Sequence, residues 1–311
     1  MEWIKFIQGI DKIGIEKKVK VEELVELLDE LVKGLRGSRE WRNMIEFMSR
    51  FHRYSFCNTL LILRQRPDAT LVRGYKQWIA LGRHVKRGEK GIAILVPMIR
   101  KIKIKKKVIE EDVETGEKKE VEKEVEEEML TGFMVRYVYD IKQTEGKEIP
   151  CIDEFAKIIE GTKMEDRYEI LKKVVEKFGI KLEIKRLDVN GRYKYIENMI
   201  EINEALPIDM RFKTLIHELA HGILAYKDMM PKRVGEEITV PSRYEEECIV
   251  ESVAYIVANR FGLDTSQYSV GYIASYQEYM PEYVLRQDLS TIHTISEMII
   301  NEMEKVGKEE Y

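Results

Sequence analysis

The sequence predicts an α+β protein of two domains: a mixed α/β domain over residues 1–150 and a mainly helical domain over residues 151–311. Helical and strand-like periodicities alternate in the first half, whereas from Met210 onward the apolar pattern is almost wholly helical. Between the two, "KQTEGKEIPC" carries glycine, proline and polar residues without periodicity, which is typical of a linker. We expect an antiparallel sheet with a charged hairpin in the first domain and a small sheet in the second.

The composition excludes some classes of partner and compartment. The formal charge of −4 gives no global signal for nucleic acid, so a polyanion site would have to be a local patch. The three cysteines, Cys57, Cys151 and Cys248, fit neither a disulfide framework nor a four-thiolate zinc site. No basic start followed by an apolar stretch is present, and no segment approaches 18 uninterrupted apolar residues. We therefore expect a cytoplasmic protein that does not contact a membrane.

Helices precede the first long strand. A first amphipathic helix ends before Gly37, and a second helix runs from Ser38 to Phe51. The next helix is broken at Pro67, a short helix surrounds Trp78, and a buried strand begins at Ile92. This block is expected to be compact.

Residues 100–128 form a basic arm followed by an acidic arm, which predicts a hairpin. A two-residue turn at Thr115 and Gly116 places opposite charges across one face, with the pairs Lys107 and Glu124, Lys105 and Glu126, and Lys103 and Glu128. A solvated hairpin is favoured over a dedicated binding arm, because charge runs usually solvate a surface.

The second domain is expected to start with a helix and a hairpin. "DRYEILKKVVEKFG" has helical periodicity, and "IKLEIKRLDVNGRYKYIENMIEINEAL" alternates on either side of "VNG". Its last part, "NMIEINEA", is interpreted as an edge strand, which could pair an extended peptide or be an ordinary sheet edge.

The stretch "LIHELAH" holds two of the five histidines in the chain. His217 and His221 are four residues apart, so on a helix both imidazoles can reach one ion while Glu218 reaches a water beside it. Chance would produce on the order of 0.01 such patterns in a chain of this composition. The spacing therefore predicts a metal site, with zinc as the cofactor and Glu218 as the catalytic base.

A third ligand is expected on the later helix "YEEECIVESVAYIVANRFG", because catalytic zinc takes three protein ligands. Glu247 and Glu251 stand four apart on one face, and Glu247 is the favoured ligand. "ECIVESVA" resembles the second helix of zincin-class metallopeptidases, with Val250 where those have alanine. The resemblance implies that Glu247 binds zinc and Glu251 orients a histidine, and it leaves Glu251 as the alternative ligand.

This arrangement predicts metal-assisted hydrolysis of a protein substrate that the sequence does not identify. Zinc would polarise the scissile carbonyl, and Glu218 would take a proton from water and pass it to the leaving amine. A donor to the transition state could be Tyr226, Tyr272, Tyr276 or His293, and spacing does not choose among them.

The block from Arg50 to Lys90 contains ten basic residues against two acidic ones, with aromatic residues between them. Such a mixture holds single-stranded nucleic acid, because cations follow the phosphates and rings stack on bases. The signal is weak alone, since several of the aromatic residues also fit core positions. The candidate DNA-binding residues are Arg53, Tyr54, Arg64, Arg66, Arg73, Tyr75, Lys76, Trp78, Arg83, Lys86, Arg87 and Lys90.

The run "FHRYSFCNTLLILRQRPDATLVRGYKQWIALGRHVKRGEKGIAILVP", followed by "TGFMVRYVYDIKQTEG", resembles the N-terminal domain of ArdC-type antirestriction proteins. In that family the second half is a zincin-like metallopeptidase domain, and the likeness runs over roughly residues 38–280, including "YIASY". The resemblance implies an N-terminal domain that binds single-stranded DNA without sequence preference, encoded on mobile elements and protecting incoming DNA from restriction. Two alternatives stay open: a non-catalytic DNA-coating protein with a structural metal, and a regulatory protease similar to the ImmA and IrrE group.

Overall fold

The computed structural model describes residues 20–34, 38–111, 118–148, 162–225, 243–263 and 282–310. The described chain contains both helices and antiparallel or mixed sheets, and the predicted α+β class is confirmed. Apolar side chains from both halves join in one buried cluster.

Three helices open the described chain: α1 (Val21–Gly34), α2 (Ser38–Arg50) and α3 (Phe56–Gln65). All three match helices predicted from periodicity. Ser55 caps α3 by accepting a hydrogen bond from the backbone N–H of Asn58, and the helix ends just before Pro67, which lacks the N–H that would continue it.

A three-stranded antiparallel sheet follows, in the order β1–β4–β3. Its strands are β1 (Val72–Gly74), β3 (Ile92–Glu111) and β4 (Lys118–Asp140). The short helix α4 (Tyr75–Ala80) leads into β2 (Arg83–Val85). Trp78 on α4 is fully buried and donates its indole N–H to the carbonyl of Tyr139, so this helix is fixed to the sheet.

The β3–β4 hairpin forms as predicted, but the predicted register is wrong by two residues. The observed pairs are Lys103 with Glu126, Lys105 with Glu124 and Lys107 with Glu122, and the register shifts between Met98 and Ile99. Since glutamates recur at alternate positions of β4, a two-residue slip still places lysine opposite glutamate, and the charge pattern cannot distinguish the two registers. The predicted turn at Thr115 and Gly116 lies outside the described residues.

The outer edge of β3 is covered by two side-chain amides of α3. Asn58 exchanges two hydrogen bonds with the backbone of Leu95, and Gln65 does the same with Ala93, all at 2.8 Å. The amides take the place of a neighbouring strand for the backbone groups of Ala93 and Leu95, which are therefore paired.

The linker prediction for "KQTEGKEIPC" is wrong in its first half. A 3-10 turn at Ile141–Gln143 leads into β5 (Thr144–Gly146), which pairs with β2. The buried Gln143 amide donates to Glu89 and to the carbonyl of Lys90, which ties this segment to the first half of the chain. Residues 149–161, which include the predicted boundary, lie outside the described part.

The second half begins with α5 (Met164–Lys177) and a sheet in the order β6–β8–β7. The strands are β6 (Lys181–Lys185), β7 (Gly191–Lys194) and β8 (Met199–Asn203). The hairpin predicted on either side of "VNG" is wrong, because β6 and β7 are separated by β8, which is parallel to β6 and antiparallel to β7. Alternation identifies strands but does not say which of them are neighbours.

The prediction of β8 as an edge strand is also wrong. It lies in the middle of the sheet, and Ile200 and Ile202 are fully buried. The strand on the open edge next to the helices is β7, where a Cβ on Gly191 would lie 2.6 Å from the side chain of Thr214. Glycine thus lets β7 approach the following helix closely.

Three long helices complete the described chain: α6 (Ile208–Ala225), α7 (Arg243–Arg260) and α8 (Glu282–Glu310). They agree with the helical pattern predicted after Met210. Most side chains of α7 between Cys248 and Ala258 are buried, because α7 packs against α6, α8 and α2. None of the described helices has the length and apolar character needed to cross a membrane.

The two halves contact each other through a charged group on α8. The Glu304 side chain is only 4% exposed and accepts hydrogen bonds from Arg53 at 2.9 Å and from Arg260 at 2.7 Å. Beside it, the hydroxyl of Ser49 donates to the side chain of Asn259. The C-terminal end of α7 is therefore fixed to the N-terminal half.

Replacing Glu304 by glutamine should lower the free energy of unfolding by about 3 kcal/mol, because the largely buried Arg260 would lose its ionic partner. Urea unfolding followed by circular dichroism measures the change. Glu302→Gln is the matched control, since its 3.7 Å contact with Lys177 is at the surface and should contribute less than about 1 kcal/mol. Equal losses in the two variants would contradict the assigned role of Glu304.

Candidate metal centre

Helix α6 presents both histidines of "HELAH" on the side that faces α7. The opposite side packs into the core through Phe212, Leu215 and Leu219, all fully buried. The imidazole rings of His217 and His221 have centroids 5.0 Å apart, as expected for positions one turn apart.

Helix α7 supplies carboxylates opposite the two rings. The Nε2 atom of His217 lies 3.6 Å from Oε2 of Glu247, and the Nε2 atom of His221 lies 3.7 Å from Oε1 of the same residue. The predicted third ligand is therefore placed against both histidines.

The three side chains have a geometry that could hold a metal ion. One donor atom from each of His217, His221 and Glu247 lies within 4.8 Å of the other two. Tetrahedral coordination with bonds of about 2.0–2.1 Å separates neighbouring ligand atoms by roughly 3.3–3.4 Å. The observed separations of 3.6 and 3.7 Å, each to a different oxygen of Glu247, are within a few tenths of that value, and among the described residues no other group of this kind occurs.

The other nitrogen of each ring is bound to a different carboxylate. Nδ1 of His217 lies 3.2 Å from Glu251, and Nδ1 of His221 lies 2.7 Å from Glu246. A hydrogen bond at Nδ1 places the ring proton there and leaves Nε2 with a free lone pair, which a metal ligand requires. Glu251, one turn after Glu247 on α7, is thus the carboxylate that orients the His217 ring.

The charges around His217 favour its protonated form. Burial acts against the imidazolium, but the hydrogen bond to Glu251 and the nearby Glu218 and Glu247 outweigh it, so the pKa of His217 is raised. Lys213, one turn earlier on α6, donates to Glu251 at 2.6 Å and offsets part of this negative charge.

Glu218 is 8% exposed and lines the same pocket as the two histidines. Burial raises its pKa, while the neighbouring histidines and a hydrogen bond from the backbone of Tyr193 limit the rise. A carboxylate with a raised pKa next to the donor set is suited to accept and return a proton.

The pocket has a volume of about 570 Å³ and includes residues that periodicity and spacing did not single out. Arg192, Tyr193 and Tyr195 come from β7 and the turn after it, and Arg243 comes from the start of α7. The signal that could have found the first three is Gly191, the glycine of "VNG", which allows the close approach of β7 to α6.

Of the four candidate donors to a transition state, the described residues include His293. His293 is buried on α8 and is not among the residues that line the pocket. Tyr226, Tyr272 and Tyr276 lie outside the described residues.

Several candidate DNA-binding residues make contacts within the protein. Trp78 is fully buried, so its ring cannot stack on a base, and this part of the prediction is wrong. Arg53 pairs with Glu304, and Arg66 pairs with Asp68. Arg83 donates to Thr144 and to the carbonyl of Lys147.

Three further candidates are partly withdrawn from solvent. The Tyr54 hydroxyl donates to the carbonyl of Val72, and burial raises the pKa of Tyr54 to about 12. Arg64 and Arg73 are half-buried, and burial lowers the pKa of Arg64.

The remaining candidates are exposed and cluster around α4 and the segment between β2 and β3. They are Tyr75, Lys76, Lys86, Arg87 and Lys90, although the Lys86 ammonium also donates to the carbonyl of Lys142. The Tyr75 ring lies 6.5 Å from that of Tyr139, an aromatic residue of β4 that the prediction did not include. Phe133, further along the same strand, is 45% exposed.

Comparison with known proteins agrees with the family suggested by the motifs. Residues 17–139 match the family model described as the N-terminal domain of anti-restriction factor ArdC. This part of the chain is an ArdC-type N-terminal domain, and the predicted resemblance to ArdC-type proteins is confirmed.

A longer relative and two solved structures are also similar. An uncharacterized protein of Bacillus anthracis is 26% identical over 316 residues, covering 91% of this chain and 52% of the relative, so the chain spans about half the length of that protein. The metal-free crystal structure of the antirestriction ArdC protein from the R388 plasmid is 16% identical, with a TM-score of 0.40 over 80% of this chain and 85% of that one. The Mn(II)-bound structure of the same protein is 14% identical, with a TM-score of 0.42 over 79% and 84%.

The two glutamates should differ in their effect on metal binding. Glu247→Ala should abolish stoichiometric zinc binding at micromolar concentration, because it removes a ligand. Glu251→Ala should weaken the zinc affinity by about 10–100-fold, because the His217 ring would lose the carboxylate that orients it. Competition with a chromophoric chelator measures both affinities. The assignment is contradicted if Glu251→Ala abolishes binding while Glu247→Ala retains it, or if the double variant His217→Ala/His221→Ala still holds one zinc.

Proposed function

We propose that this chain is an ArdC-type antirestriction protein that binds single-stranded DNA through its N-terminal domain and carries a metal-dependent peptidase site in its C-terminal domain. The observation that carries the catalytic part is the convergence of two oriented imidazoles and Glu247 beside the buried Glu218. The match of residues 17–139 to the ArdC N-terminal domain supports the DNA-binding part. A boundary near residue 150 separates the two functions.

His217, His221 and Glu247 are the proposed ligands of a divalent metal, and zinc is the metal that this donor set suits best. The metal would supply Lewis-acid polarisation of a carbonyl group. Glu246 and Glu251 hold the two rings so that both Nε2 atoms point to one place.

Glu218 is the proposed general base and acid of peptide hydrolysis. Its burial next to both histidines, together with its raised pKa, supports transfer of a proton from water to the leaving amine. An extended substrate would pair with β7, because β7 is the edge strand that lines the pocket.

Single-stranded DNA is the proposed ligand of the exposed group around α4. Lys76, Arg87 and Lys90 supply exposed cations, and Tyr75 supplies an exposed ring. Tyr139 extends this ring surface onto the sheet. Cations along a backbone with aromatic rings between them are the usual means of binding unpaired strands.

The combined variant Lys76→Ala/Arg87→Ala/Lys90→Ala should weaken binding of a labelled single strand and flatten its dependence on salt. Each lost phosphate contact should reduce the slope of log affinity against log salt by about 0.7. Fluorescence anisotropy of the full chain at several salt concentrations measures both quantities. Lys305→Ala on α8, also an exposed lysine, is the control and should change neither. If the slope of log affinity against log salt were unchanged in the triple variant, these three residues would not be the DNA-binding surface.

Protection of DNA in cells should require Glu218. Glu218→Gln should keep its metal, because Glu218 is not a ligand, yet should reduce the survival of unmodified plasmid in restricting cells by at least about tenfold. Transformation efficiency, with metal content measured on the same variant, tests this. Full protection by a metal-loaded Glu218→Gln protein would instead favour the non-catalytic coating function.

A further inference from the structure

The carboxylate that orients His221 is itself held by a residue outside the two metal-site helices. The Tyr195 hydroxyl donates to Oε1 of Glu246 at 2.6 Å, and that same oxygen accepts the hydrogen bond from Nδ1 of His221 at 2.7 Å. Tyr195 follows β7 directly and belongs to the turn between β7 and β8. A chain of two hydrogen bonds therefore joins this turn to a proposed metal ligand.

We propose that Tyr195 is a positioning residue of the metal centre, acting through Glu246 to hold His221 in its ligating orientation. The inference rests on the proposed metal site and adds a contribution from the β7–β8 turn to it. The Tyr195 hydroxyl is hydrogen-bonded to Glu246, and the proposed effect on the metal passes through that bond.

The need for such a residue follows from the surroundings of Glu246. This side chain is 22% exposed near the N-terminal end of α7, where a carboxylate without fixed partners could adopt more than one rotamer. Two donors on one oxygen select a single rotamer, and that rotamer fixes the proton of His221 on Nδ1. Nε2 is then left directed towards Glu247.

The other histidine has a similar arrangement with a different donor. Lys213 donates to Glu251, which contacts Nδ1 of His217. Lys213 lies on the same helix as His217 and is therefore held by the fold of α6. Tyr195 instead connects the site to the strand edge of the pocket, so the orientation of His221 depends on the placement of β7.

The neighbouring Tyr193 offers a matched comparison. Its hydroxyl, on β7, donates a hydrogen bond to the side chain of Asn198 at 2.8 Å, in the turn between β7 and β8. Tyr193→Phe and Tyr195→Phe thus each remove one hydroxyl, and the carboxylate that contacts His221 accepts its hydrogen bond from the Tyr195 hydroxyl.

The experiment measures zinc affinity by chelator competition in the full-length protein and four variants: Tyr195→Phe, Tyr193→Phe, Glu246→Ala and the double variant Tyr195→Phe/Glu246→Ala. Visible absorption of the cobalt-loaded proteins reports the coordination geometry independently of any activity. We expect a loss of about 10-fold for Tyr195→Phe, a loss of up to about 100-fold for Glu246→Ala, and less than about twofold for Tyr193→Phe. In the Glu246→Ala background, Tyr195→Phe should have no further effect, because the residue through which it acts is absent.

The possible results separate the inference from the proposed function. The positioning role would be overturned, with the metal site left intact, by either of two results. One is a loss of zinc affinity in Tyr195→Phe that adds fully to the loss in Glu246→Ala when the two are combined. The other is wild-type affinity with an unchanged cobalt spectrum in Tyr195→Phe. Failure of the wild-type protein to bind zinc or cobalt at all would overturn the proposed metal site, and the inference with it. A loss confined to Tyr195→Phe and Glu246→Ala, without additivity, is the result that the proposal requires.

Discussion

The packing of α7 against α6 is the constraint on which the site depends. One face of α6 places two imidazoles a turn apart, and α7 opposes them with three carboxylates, of which Glu247 lies between the two Nε2 atoms. Glu246 and Glu251 reach past it to the Nδ1 atoms. A rotation of α7 by one residue would turn these carboxylates by about 100° around its axis, and the same rotation of α6 would turn the imidazoles, so either would separate the pairs. The apolar surroundings of α7 oppose such a rotation, because almost all of its middle section is buried.

The same helix connects the site to the N-terminal half. The first turns of α7 hold the carboxylates, and its last turn holds Asn259 and Arg260, which contact Ser49 directly and Arg53 through Glu304. A single rigid element therefore has one end at the proposed metal centre and the other at the half that carries the ArdC-type domain. The order of the small sheet adds a second constraint, since β7 on its edge brings Tyr193 and Tyr195 to the pocket.

The sequence was informative where a local pattern determines the structure. Helical spacing located the described helices, and the four-residue separation of His217 and His221 required a common face.

Local patterns were insufficient where distant segments meet. Alternation found β6, β7 and β8 but not their order, and alternating glutamates left the hairpin register open by two residues. Composition likewise suggested that Trp78 and Arg53 bind DNA. In the structure Trp78 is buried, and Arg53 forms an ion pair with Glu304. Tyr195 could not be found from spacing, because its contact with Glu246 joins residues 51 positions apart.

X-ray absorption at the zinc edge, recorded on protein loaded with one equivalent of zinc, tests the central claim most directly. The account predicts scattering from two imidazole rings and oxygen at about 2.0–2.1 Å, with no sulfur at about 2.3 Å. A sulfur shell, or a spectrum with no imidazole scattering, would contradict a centre built from His217, His221 and Glu247.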